Sequence, residues 1–90
     1  MLVLPSELTH DKAAPCVRML AQALRAQQSS AVVVDASVLT QFDSSALAVL
    51  LECRRESLAA GKSFSVRALP SDLRKLATLY GVAGLLPAAP

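Results

Sequence analysis

The sequence predicts a single α/β domain spanning residues 1–90, a mostly parallel or mixed sheet with helices packed on it. Two observations predict it. Strand-like and helix-like periodicity alternate in the order β-α-β-α-β-α, the pattern of a sheet whose strands are joined by helical crossovers. The chain is also 90 residues long, 53% apolar and only 3% aromatic, which is enough for one modest aliphatic core and no more.

Each element follows from its local pattern. Leu2, Val3 and Leu4 form a short apolar strand stopped by Pro5. Thr9 or Asp11 is placed to cap the next element, where Val17, Leu20, Ala21 and Leu24 repeat at i, i+3, i+4, i+7, so an amphipathic helix is expected over 12–28. Pro15 is compatible with it because it falls near the helix start. Ala31-Val32-Val33-Val34 is a continuous, mostly β-branched run, as expected of a strand buried on both faces, and Asp35 closes it. Residues 36–42 read as a loop. Asp43-Ser44-Ser45 is favoured helix-start chemistry, and the helix runs through Leu47, Leu50, Leu51 and Leu58 to Gly61, which suits the position just past a helix C-cap. Phe64, Val66 and Ala68 alternate with Ser63, Ser65 and Arg67 as a strand. Pro70-Ser71-Asp72 opens a third helix with Leu73, Leu76, Ala77 and Tyr80 on its core face, Gly81 stops it, and Leu85-Leu86 reads as a last short strand.

Composition excludes several classes. Hydropathy is too high and net charge, +2, too low for disorder. The longest clean apolar run, Ala46 to Leu51, is far short of the ~20 residues of a membrane span, and the N-terminus lacks the layout of a signal peptide. Residues 1–50 hold three Lys/Arg against four acids, and residues 51–90 hold six against three, which is an uneven balance but not the dense basic stripe of a nucleic-acid binder. Cys16 and Cys53 lie in apolar helical patterns and read as buried reduced thiols. With one His and no CxxC, no metal site is expected. No phosphate-binding loop is present, so no cofactor is expected, and no motif places a base beside Ser44 or Cys53, which argues against an enzyme.

Right-handed crossovers gather the loops after the strands at one edge of the sheet, where sites collect. Asp35, Asp43, Ser44 and Ser45 are therefore the candidate site residues. First-turn amides and the positive end of the helix dipole suit a phosphate or a partner's carboxylate at Ser44, while the plain capping role of Asp and Ser stands beside that reading. Asp35 is expected to support the loop.

These residues also carry a resemblance. Val32-Val33-Val34-Asp35, seven residues, then Asp43-Ser44-Ser45-Ala46-Leu47-Ala48-Val49-Leu50 resembles the signature of STAS domains, the sulfate-transporter and anti-sigma-factor-antagonist modules. Ser63–Arg67 and Leu73–Val82 resemble the family's next strand and helix. The resemblance implies a STAS-like domain without catalytic activity that binds and regulates a nucleotide-using partner. Two branches are implied. In one, the domain is the small subunit of the Mla phospholipid-transport ABC complex and contacts its ATPase subunit through Asp43, Ser44, Ser45, Leu47 and Ala48. In the other it is an anti-sigma-factor antagonist, phosphorylated at Ser44 by a partner serine kinase that is also the anti-sigma factor. The ending Leu76–Pro87 and the short N-terminus are similar to the Mla branch. Ser45 stands where that branch commonly has Gly, and Ala46 where the antagonists do. The implied location is the cytoplasm, peripheral to the inner membrane through the partner. The apolar surplus of the second helix and the tail is expected to serve partly as a docking surface.

Overall fold

A computed structural model describes residues 1–89. Its elements are β1 (Leu2–Val3), β2 (Glu7–Leu8), α1 (His10–Ala26), β3 (Ala31–Asp35), β4 (Gln41–Phe42), α2 (Ser45–Ala59), β5 (Ser63–Arg67), α3 (Ser71–Leu79) and a 3-10 turn over Ala83–Leu85. The alternation holds, with two additions. Pro5 breaks the first strand, and the chain resumes as β2; the expected loop 36–42 contains β4. These two pair in parallel, Glu7 with Gln41 and Leu8 with Phe42, so the β1–β3 pair continues as a second, offset pair. The Ser6 carbonyl accepts Thr40 N–H at 2.9 Å and Gln41 N–H at 3.0 Å across the break.

The main sheet has the order β1-β3-β5, all parallel, with Val32 opposite Phe64 and Val34 opposite Val66. The expected final strand at Leu85-Leu86 is corrected. Leu85 closes the 3-10 turn, Leu86 is buried, and the sheet gains its next partner at Ala88, which bridges Val66.

That order has a consequence for burial. Each crossover moves to the next strand in the same direction, and crossovers of one hand then put α1, α2 and α3 on one face. Val32, Val34, Phe64 and Val66 are buried beneath them, while Ala31, Ser63 and Arg67 are exposed and Val33 and Ser65 half-buried. The expectation that β3 is buried on both faces is therefore corrected. A doubly covered sheet needs the strand order to reverse, and here it does not.

The core unites Leu2, Leu4 and Leu8, Cys16, Leu20 and Leu24 of α1, and Ala46, Leu47, Val49, Leu50 and Cys53 of α2. Most of the apolar surplus of α2 is thus consumed inside the fold, and of its apolar residues only Ala48, Leu58 and Ala59 are left exposed. The exposed large apolar residues include Leu79, Tyr80 and Leu85 near the C-terminus. Tyr80 is also a correction: α3 ends at Leu79, and Gly81 at φ +76° turns the chain away, leaving Tyr80 58% exposed. Gly61, at φ +73°, ends α2 as expected.

Both thiols are buried, and burial pushes Cys16 up and Cys53 up to about 11. Since the thiolate is the reactive form, neither should react with a chromogenic disulfide reagent at pH 8 until the domain is unfolded. Rapid labelling of the native protein would contradict their burial.

Candidate functional site

Asp43 ends β4 and precedes the first turn of α2. Its Oδ1 accepts the Ser45 N–H at 2.8 Å, and its Oδ2 accepts the His10 N–H, from the first residue of α1, at 3.1 Å. One carboxylate therefore caps two helices. Of the two expected local caps of α1, Thr9 does not act on its amides: its hydroxyl donates instead to Asp11 Oδ1 at 2.7 Å, and it makes no side-chain cap. The Ser45 N–H and then the His10 N–H hold the Asp43 carboxyl below its ordinary value.

The start of α2 is more fully satisfied than its sequence suggests. Beyond Ser45, the Ala46 N–H donates to the Asp43 carbonyl and the Leu47 N–H to the Ser44 carbonyl, both at 3.1 Å. Helix starts normally leave these amides orphaned. Here they are engaged, so the expectation of vacant donors awaiting a phosphate or partner carboxylate is corrected.

The surface this turn presents consists of side chains. Asp43, Ser44 and Ala48 are exposed, and Ser45 is half-buried. Leu47, expected on the same face, is corrected: it is 3% exposed and packs in the core. One helical turn carries Ser44 to Ala48, whereas Leu47 lies about 100° round the helix from Ala48 and turns inward. Further along the exposed side, Arg55 is held by Glu52 and by Glu56, the latter at 3.5 Å.

Asp35 lies at the carboxyl end of β3. Its Oδ1 accepts the Ser37 N–H at 2.9 Å, which turns the chain towards Leu39, a buried residue. That bond above all, with help from nearby Arg67, holds its carboxyl low. Ala36 N–H donates to the Arg67 carbonyl, joining this loop to β5. Asp35 and the Asp43–Ser45 turn sit at opposite ends of the segment 36–42 and share no hydrogen bond.

Because Asp35 and Asp43 titrate below their ordinary value of 3.8 in the folded state, the unfolded chain binds more protons between the folded and unfolded values. Their stabilisation is complete above the unfolded value and is lost as pH falls through the folded ones. Thermal melts from pH 7 down to pH 2 should therefore show the melting temperature falling at the acid end. The fall should be shallower in Asp43→Asn, and an equally steep fall in that variant would remove Asp43 from the account.

Hollows lie elsewhere, among them one between α1 and α2 around Leu20 and Cys53 and one on the uncovered sheet face beside Val33 and Arg67. Among the described residues, no three His, Cys, Asp or Glu side chains gather where a metal could sit, and no helix is long and apolar enough to cross a membrane.

Over residues 1–87 the chain matches the family model described as "Mlab, STAS domain". Among solved structures it is similar to the anti-sigma factor antagonist SpoIIAA in its unphosphorylated form, with a TM-score of 0.69, 16% identity, and coverage of 97% of this chain and 84% of that one. At that identity the likeness speaks for the fold. No curated protein matches the chain in sequence.

Proposed function

The chain belongs to the STAS domain family, and from that premise we propose that it is a non-catalytic regulatory subunit that binds the ATPase of an ABC-type phospholipid (Mla) transport system. The observation that carries this reading is the match of the Mlab-type family model to residues 1–87. The geometry supports docking through side-chain contact. Ser44, the N-cap residue of α2, and Ala48 are small, exposed and one turn apart, so another protein can approach the helix closely there. On this reading the protein works in the cytoplasm, held at the inner membrane by its partner.

Co-purification with the ATPase tests it. Ser44→Arg and Ala48→Arg place long charged side chains on the surface without touching the core. If the face lies at the centre of the interface, each should weaken the complex by roughly ten-fold or more and change the ATPase rate. Unchanged binding by both variants would mean the wrong partner or the wrong face.

One observation favours a second reading. The exposed Ser44 hydroxyl makes no hydrogen bond among the described residues, so it is accessible to a kinase, as an anti-sigma-factor antagonist switched by serine phosphorylation requires. Mass spectrometry after incubation with a cognate kinase and ATP decides. A phosphate on Ser44 supports this reading, and an unmodified Ser44 rejects it.

A further inference from the structure

We infer that Asp43 is the positioning residue of the docking face and couples it to the start of α1, so that negative charge arriving at Ser44 loosens the first turn of a helix that begins 33 residues upstream of Asp43. The inference rests on the reading of Ser44 and Ala48 as that face.

Three observations carry it. The two oxygens of one carboxylate serve two helices, Oδ1 the Ser45 N–H and Oδ2 the His10 N–H. Thr9, the N-cap residue of α1, makes no side-chain cap, because its hydroxyl is turned to Asp11. The first-turn amides of α2 at Ser45, Ala46 and Leu47 are already engaged. A phosphate on Ser44, or a partner's carboxylate beside it, therefore finds no free donor among these three amides. It must compete with Asp43 for the Ser45 N–H, and it repels the Asp43 carboxylate. Any displacement of Asp43 also releases the His10 N–H. Because coupling between two sites is reciprocal, a partner that stabilises the first turn of α1 also stabilises the docking face.

The test uses the isolated full chain, with amide exchange read residue by residue by NMR. Ser44→Asp should speed exchange of the His10 amide several-fold, and Ser44→Asn, of the same shape without the charge, should not. Asp43→Asn, which keeps one acceptor oxygen, should speed exchange at His10 by itself. In that background Ser44→Asp should add nothing at His10, a non-additivity that a merely structural Asp43 would not give. If Asp43→Asn does not fold, the comparison of Ser44→Asp with Ser44→Asn decides alone. A His10 amide that ignores the charge at Ser44, or responds equally without Asp43, overturns the inference. No partner is present, so the two failures separate. A responsive His10 with no ATPase binding removes the partner and keeps the coupling, while ATPase binding with an unresponsive His10 does the reverse.

Discussion

Leu47→Glu should abolish folding, whereas Ala48→Glu, one residue along, should leave the domain intact. By local rules the first substitution looks favourable. Leu47 is the third residue of α2, where a glutamate can cap the helix start and meets the positive end of its dipole, an effect of about 0.3–1 kcal/mol. Burial decides otherwise. Leu47 is 3% exposed within the core. Removing a buried leucine side chain costs about 2–5 kcal/mol, and a carboxylate left there unpaired adds several kcal/mol more. Against a total stability of roughly 5–15 kcal/mol for a small domain, that sum is disabling. Far-UV circular dichroism and thermal melting of the two variants check it. A cooperative melt of Leu47→Glu within a few degrees of the parent would show that Leu47 is not buried. The contrast also bears on the proposed docking, because failure of a Leu47 variant to bind a partner would report unfolding, and only variants at Ala48 and Ser44 test that proposal.

Repeating patterns were legible in the sequence. The 3.6-residue stripe of Val17, Leu20 and Leu24 marked α1, the run Ala31–Val34 marked β3, and the alternation Phe64–Val66 marked β5. β2 and β4 are two residues each, too short for any period to register, and only the pairing of Leu8 with Phe42 makes them strands. The face that β3 leaves open was hidden for a different reason. A β-branched run is compatible with one or two covered faces, and the choice belongs to strand order, a property of the whole chain. Tyr80 continues the helical stripe of Leu73, Leu76 and Ala77, yet the backbone leaves the helix one residue earlier. At the candidate site, Asp43-Ser44-Ser45 was readable as a helix start, but the second bond of Asp43 was not. Its partner is a backbone N–H 33 residues away, and a backbone amide leaves no mark in sequence.

The C-terminal segment offers the other large effect. Leu86→Ala should destabilise the domain by about 2–5 kcal/mol, lowering the melting temperature by roughly 10–30 °C for a chain of this size, while Leu85→Ala should be nearly neutral. The two leucines are adjacent and chemically identical, so the difference isolates packing. The 3-10 turn over Ala83–Leu85, with the Leu86 N–H donating to the Ala83 carbonyl at 3.1 Å, points Leu85 outward at 39% exposure and drives Leu86 to zero. Leu86 then anchors the segment 87–89: the Val66 N–H donates to the Pro87 carbonyl at 2.8 Å and the Ala89 N–H to the Val66 carbonyl at 2.9 Å. Loss of the Leu86 side chain removes the apolar plug and, with it, the restraint that keeps this segment on the edge of β5. In Leu86→Ala the Val66 amide should therefore exchange with solvent faster than those of β3, which lies inside the sheet. If Leu85→Ala proves the more damaging of the two, the turn places the wrong leucine in the core.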